Sequence, residues 1–352
     1  MKAWAVVAAG EPLEKMEFPT PEPTGGEVLV KVSHCGLCHS DLHFWKGEYN
    51  MGGGKVMKLA ERGVKLPRAP GHEILGTVVA VGPLAMGAKV GDVRAVYPWI
   101  GCGHCPACLD EQDNLCTGGA QSLGVMHNGG FGDHVLVRDG KYLVDPGKVD
   151  LALAATYGCS GITAYGAVKK IMPLAPDQPV VLFGAGGLGL TAIAMLKAFG
   201  HRNIISVDMS QEKLDAAKAE GASAIVVGGE GVVGRITEAA GGPVAAVIDF
   251  VNISSTAQSA MDVLMKGGKL ILVGVTGGEL TLSLAGMVFR AITVQGTLMG
   301  SPQDLRDVFA MANDGRLAAT PVSEVPKSDV NDAMQHLHHG DVTGRLVLTG
   351  DV

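Results

Sequence analysis

Aromatic side chains are scarce in this sequence, 5% of 352 residues, and charged ones make up only 18%. So few aromatics leave little from which to build a peptide-binding surface. Low charge beside 47% hydrophobic residues excludes a disordered chain. There is no basic tract, and Asp plus Glu outnumber Lys plus Arg by 35 to 28 for a net charge of −7. A nucleic-acid backbone therefore has nothing to grip, and no nucleic-acid partner is expected. No run reaches 18 apolar residues without Gly, Pro or a charge, Val180 to Gly200 included, so no membrane span is expected. The opening MKAWAVVAAGEPLEK lacks the pattern of a secretory signal, which makes the cytoplasm the expected compartment. On that expectation Asn252-Ile253-Ser254 is a polar loop rather than a glycosylation site.

Glycine, by contrast, is abundant at 51 residues, and the length suits about two domains of ~150 residues. VLVKV at Val28 alternates as a strand does, and short apolar runs with PG and GG turns continue to about Lys148, so this part reads as β-rich. From about Gly158 the pattern changes. ITAYGAVKKI reads as a helix, PVVLFGAG as a buried strand, LGLTAIAMLKAFG as a helix closed by Gly200, NIISVD as a strand and QEKLDAAKAEG as a helix closed by Gly221. Strands follow at Ala224–Val227, Ala245–Phe250 and Lys269–Gly274. Such alternation predicts an α/β fold with a doubly wound parallel sheet. Two amphipathic segments, Asp304–Asn313 and Asp329–His338, and the strand RLVLTG finish the chain. The expected division is 1–159, 160–295 as the nucleotide-binding unit, and 296–352 returning to the first.

Gly184-Ala185-Gly186-Gly187-Leu188-Gly189 follows a predicted strand and opens a predicted helix, and Asp208 stands 19 residues beyond it at the end of the next strand. Bare glycine backbone admits a pyrophosphate to the positive helix end, and a carboxylate so placed accepts hydrogen bonds from an adenosine ribose while repelling a 2′-phosphate. NAD is the expected cofactor. Cys102, Cys105, Cys108 and Cys116 are spaced C-x2-C-x2-C-x7-C, in a lobe of about 98–117 that can wrap four thiolates round one Zn²⁺. Four ligands leave no open position, so that ion would be structural; acidic Asp110, Glu111 and Asp113 argue against a nucleic-acid ribbon. Cys35, Cys38 and Cys159 remain. By spacing alone, Cys35-Gly36-Leu37-Cys38 can be a redox pair, and any of the three can be a core thiol.

Cys38-His39-Ser40-Asp41-Leu42-His43, Gly71-His72-Glu73, the four-cysteine lobe, Gly158-Cys159 and the GAGGLG fingerprint with Asp208 occur in the order seen in zinc-dependent medium-chain alcohol dehydrogenases, which the whole chain resembles. The bacterial and archaeal NAD-dependent members are the most similar. The resemblance implies a GroES-like β-rich catalytic domain beside a Rossmann domain, two zinc ions per chain, and reversible oxidation of primary or secondary alcohols to aldehydes or ketones with NAD. It makes Cys38, His72 and Cys159 the catalytic zinc ligands, with Glu73 a catalytic-site carboxylate close behind the metal that orients the site in the resting enzyme and can approach or ligate the metal in other states. Ser40 and His43 become a relay carrying the substrate proton through the nicotinamide ribose to solvent. His39 falls near the pyrophosphate, where the family often has Arg. Thr163, Val273 and Thr297 fall on the nicotinamide side, and Lys213 by the adenosine ribose. Trp45 and Trp99, with Phe44, are candidate walls of an apolar substrate pocket. His336, His338 and His339 read as a solvated helix end, and the basic Lys55–Arg68 stretch as a solvated loop, with a border of the substrate cleft or a subunit contact as its alternatives. A homotetramer is implied, a homodimer being the smaller alternative. The competing readings are a polyol or other zinc-dependent dehydrogenase of the superfamily, whose third donor is usually Glu or Asp where this chain has Cys159, and a non-catalytic NAD-binding relative.

Overall fold

The computed structural model describes all 352 residues. Val28–Gly36 is the axis of the first sheet. It runs antiparallel to Glu73–Val81, to His134–Val137 and, through Gly36 against Val347, to the last strand, Arg345–Thr349. The order along the sheet is Leu143–Val144, Val93–Val96, Glu73–Val81, Val28–Gly36, Arg345–Thr349, Val322–Pro326. Opposite Gly36 in the register stand Glu73 on one side and Val347 on the other. Cys38, His72, Glu73 and Arg345 are therefore delivered to one end of the sheet from three distant parts of the chain. A side chain at position 36 would collide with the Glu73 carboxylate, so glycine is required there.

Six parallel strands form the second sheet, in the order Ala224–Val227, Ile204–Asp208, Val180–Phe183, Val244–Asp249, Leu264–Leu272, Thr293–Gly296. Val180–Phe183 is buried at every position, as an apolar run covered on both faces by helices must be. Chain order reverses on either side of this strand, so a crevice opens beyond the carboxyl ends of Phe183 and Asp249, the position where such sheets take ligands. The helix Gly187–Ala198 starts there. The next helix, Gln211–Glu220, is capped by the Ser210 hydroxyl on the Lys213 N–H and stopped by Gly221 at φ +117°.

One helical run, Leu151–Ile171, joins the two units. It is long and apolar enough to cross a membrane, yet 94% of its most apolar stretch is buried within the protein. The division expected between 159 and 160 falls inside this helix, and one apolar core of 65 residues continues through both units. Three features differ from the sequence reading. His39–Lys46 is a two-turn helix within the β-rich part, the strand expected from Lys269 starts at Leu264, and a short helix forms at Leu284–Arg290.

Candidate active site

Cys38 stands at the cap of the helix His39–Lys46, and the buried Asp41 carboxylate fixes its surroundings. Asp41 Oδ2 accepts the Cys38 N–H at 2.9 Å, and Oδ1 accepts the Gly71 N–H at 3.0 Å and lies 3.1 Å from His72 Nδ1. With Nδ1 so held, the other ring nitrogen of His72 is free to act as a donor. Cys159 comes from the far side on a π-helical turn, Tyr157–Gly161, a local widening of the helix that often marks a functional site. The Cys38, His72 and Cys159 donor atoms lie within 4.8 Å of one another, all buried. A hydrogen bond from Cys159 holds the Cys38 thiol well below its ordinary pKa against the effect of burial, with His72 adding to it. Burial alone would lower His72, but the charge and hydrogen bond of Asp41 outweigh it. Two sulfurs and an imidazole so converged fit Zn²⁺ with a fourth position open. Cys35 stays out of this cluster, buried against Gly71 and Gly130, so the redox pairing finds no support.

Glu73 lies behind the cluster. Its Oε1 accepts the Ser160 N–H at 3.1 Å and its Oε2 pairs with Arg345, a residue the sequence reading missed. Burial pushes the Glu73 carboxyl up, and the Arg345 cation opposes the rise. Arg345 also packs against Gly187, where any Cβ would strike its side chain, so the arginine spans from behind the metal cluster to the start of the fingerprint helix. In the fingerprint, Gly184 has φ +97° and a Cβ on Gly189 would meet the Gly184 carbonyl. Nothing lies within 4 Å of the Cβ position of Gly186, which leaves backbone bare toward the crevice, and Leu188 is half-buried beside it. The Asp208 carboxylate sits at the lip of this turn, accepting N–H groups from Ala185 at 2.7 Å and Ser210 at 3.0 Å. These features fit a dinucleotide.

Ser40 and His43 occupy one helix, with His43 stacked on Tyr49 at 4.7 Å between ring centroids. No hydrogen bond joins Ser40 to His43, so a relay between them needs an intervening hydroxyl. Burial lowers the His43 pKa, and His39 and Lys46 add to the effect. His39 keeps an exposed edge, but partial desolvation first, and then the charges of Arg345, Lys213 and His338, lower its pKa below the ordinary 6.5. Thr163 is buried in the helix Ile162–Ile171. Val273 and Thr297 follow neighbouring parallel strands, and the Thr297 hydroxyl accepts from Lys170 Nζ at 2.8 Å.

The three pocket candidates lie in different surroundings. Phe44 is a core residue, 2% exposed, and Trp45 gives its indole N–H to the Glu11 carbonyl at 2.7 Å and meets the His338 ring edge-on. Trp99 is half-buried in a two-stranded ribbon with Ser122. The three carboxy-terminal histidines join neither donor cluster. Part of the Lys55–Arg68 stretch forms a hairpin, Glu48–Asn50 with Val56–Lys58, whose tip at Gly52 and Gly53 abuts Gly278 and Glu279 of the parallel-sheet unit.

The second donor cluster brings the Cys102, Cys105, Cys108 and Cys116 sulfurs within 4.8 Å of one another. Backbone N–H groups of Cys102 and Cys105 point at the sulfurs of Cys116 and Cys102, at 3.2 and 3.4 Å. Four thiols with backbone donors fit a closed tetrahedral Zn²⁺ site. Asp113 of this lobe is not a surface acid as its sequence context suggests. It is buried and accepts the Tyr142 hydroxyl at 2.6 Å.

Residues 24–146 match the alcohol dehydrogenase GroES-like domain and residues 187–314 the zinc-binding dehydrogenase family. An NAD-dependent alcohol dehydrogenase of Sulfurisphaera tokodaii is 34% identical over 99% of both chains. An alcohol dehydrogenase of Geobacillus stearothermophilus is 33% identical over the full length of both. Among solved structures, the alcohol dehydrogenase of Aeropyrum pernix superposes with a TM-score of 0.90 at 29% identity, over 99% of this chain and 100% of that one.

Proposed function

From the premise that the chain belongs to the zinc-binding, GroES-like alcohol dehydrogenases, we propose that the cleft between its two sheets carries out the reversible oxidation of a primary or secondary alcohol with NAD, using Cys38, His72 and Cys159 to hold the catalytic zinc. The observation that carries this reading is the convergence of those three donors within 4.8 Å, beside an arginine that also reaches the fingerprint helix. Bound zinc supplies polarisation of the substrate oxygen, and NAD supplies the hydride acceptor. The protein's own residues do the rest. Asp41 orients His72. Ser40 receives the substrate hydroxyl proton and His43, kept neutral by its lowered pKa, passes it outward. Gly184, Gly186, Gly187, Leu188 and Gly189 admit the pyrophosphate to the positive end of the helix, with Arg345 packed behind Gly187 and the imidazole of His39, its pKa lowered, as a hydrogen-bonding neighbour. Asp208 takes the adenosine ribose, with Lys213 beside it, and Thr163, Val273 and Thr297 border the nicotinamide. Cys102, Cys105, Cys108 and Cys116 hold a structural zinc.

The same reading places the enzyme in the cytoplasm as a homotetramer. An assembly is supported by the unpaired edge strand Thr293–Gly296 and by the nearby helix Leu284–Arg290, on which Leu284, Val288 and Phe289 are 76–83% exposed. A steady-state screen of primary, secondary, cyclic and aromatic alcohols with NAD tests the reading. Turnover that disappears on chelation and returns with Zn²⁺ is expected. NAD binding without turnover on any of them would favour the non-catalytic alternative.

A further inference from the structure

A concavity of about 530 Å³ opens on the antiparallel unit, and none of its lining residues belongs to either donor cluster or to the fingerprint. Its volume lies in the range of small-molecule sites, ~300–1,000 Å³. Phe18, Leu123 and Leu136 give it apolar walls, while Arg68 and Arg138 bring cations to it and His127 a polar ring. Neither arginine has a carboxylate partner. Arg68 Nε is shielded from solvent and donates to nothing. Burial first, and then the charges of Arg68 and Arg138, lower the His127 pKa, which favours a neutral imidazole beside the two guanidinium groups. The acid in the wall, Glu27, is already engaged by the backbone N–H and hydroxyl of Thr24, at 2.8 and 2.7 Å. The lining is also preformed. Arg68 exchanges backbone hydrogen bonds with Val6, and the loop bearing His127 and Asn128 is tied to Ala69 and Gly71 through the N–H groups of Gly129 and Gly130.

In a chain of net charge −7, two arginines without carboxylate partners lining one cavity call for a negative ligand. The planar guanidinium fork matches a carboxylate or a phosphate. We propose that this cavity binds an organic anion, one carboxylate or phosphate group on a compact apolar body, with Arg68 and Arg138 on the anion and Phe18, Leu123 and Leu136 against the body.

Calorimetric titration of the zinc-loaded enzyme, saturated with NADH so that the cofactor crevice is filled, tests this with benzoate, phenyl phosphate and the neutral benzamide. One site per chain is expected for benzoate or phenyl phosphate, with whichever binds identifying the head group, and benzamide should bind at least ~10-fold more weakly. Arg68→Gln and Arg138→Gln should each weaken the anion by ~10-fold or more while leaving the kinetics of alcohol oxidation unchanged. The proposal is overturned by no binding of either anion at millimolar concentration, by equal affinity in wild type and both variants, or by equal affinity for benzamide. It also fails if either variant changes the subunit number in sedimentation, because the arginines would then serve a contact between copies of the chain.

Discussion

Glu73 and Arg345, 272 positions apart, form an ion pair from which water is excluded, their side chains 0% and 4% exposed. Removing one member of such a pair leaves a buried charge without compensation and costs about 3–5 kcal/mol, whereas removing both is far cheaper. Arg345→Met and Glu73→Gln should each lower stability to chemical denaturation by that order, and the double variant by clearly less than the sum. Additive losses would mean that the two charges are not coupled in the folded protein.

Asp41 ties together the Cys38 backbone, the Gly71 backbone and the His72 ring. Loss of such an outer partner typically weakens a metal site ~10–100-fold. Metal analysis should find two zinc ions per chain in the wild type. Under graded chelator, Asp41→Ala should surrender one of them at lower chelator concentration while the four-cysteine lobe keeps the other. Cys102→Ser should do the reverse and lower the melting temperature, since a closed zinc site contributes folding free energy. Loss of both ions together in either variant would contradict two independent sites.

Asp208 holds two backbone N–H groups at the mouth of the fingerprint turn, so its carboxylate is fixed in place rather than swinging with its side chain. Asp208→Gly should raise KM for NAD and lower KM for NADP by removing repulsion of the 2′-phosphate. Comparison of kcat/KM for the two cofactors measures the switch. A native enzyme already faster with low NADP than with equal NAD would refute the role given to Asp208.

Local chemistry was readable in the chain, and geometry between distant segments was not. The four-cysteine lobe could be read because its donors fall within 15 residues, and the fingerprint because strand, glycines and helix are contiguous. Cys38, His72 and Cys159 were joined only by resemblance, since the register of Gly36 against Glu73 and the π turn at Cys159 have no local signature. Arg345 was missed for a related reason: in RLVLTG it is one polar residue opening a strand, and only the return of that strand to Gly36 carries it behind the metal cluster. Asp41 did leave a signal, an acid three residues after Cys38 at the spacing of a helix cap, but the short helix was not anticipated. Trp45 and Phe44 were read from nearness in sequence to the relay, which says nothing about which face of a two-turn helix they occupy.

His43 accepts a proton only as the neutral imidazole. Burial first, and then the charges of His39 and Lys46, lower its pKa below the ordinary 6.5. The acceptor form therefore persists to more acidic pH, and the relay is lost as pH falls through the lowered value. Lys46→Gln removes one of the opposing cations and should move the acidic limb of kcat/KM for alcohol oxidation to higher pH. His43→Gln should keep zinc and NAD and lose rate only in part, because acid–base help is typically worth ~10²–10⁴-fold and a buffer base can stand in for it. Cys159→Ala removes a donor from the metal cluster, so its loss should be nearly complete and indifferent to buffer. Rates measured against buffer concentration at fixed pH separate the two variants: a rising line for His43→Gln and a flat one for Cys159→Ala support a proton path that starts at the metal cluster and leaves through His43. Flat lines for both, with zinc retained in both, would remove His43 from that path.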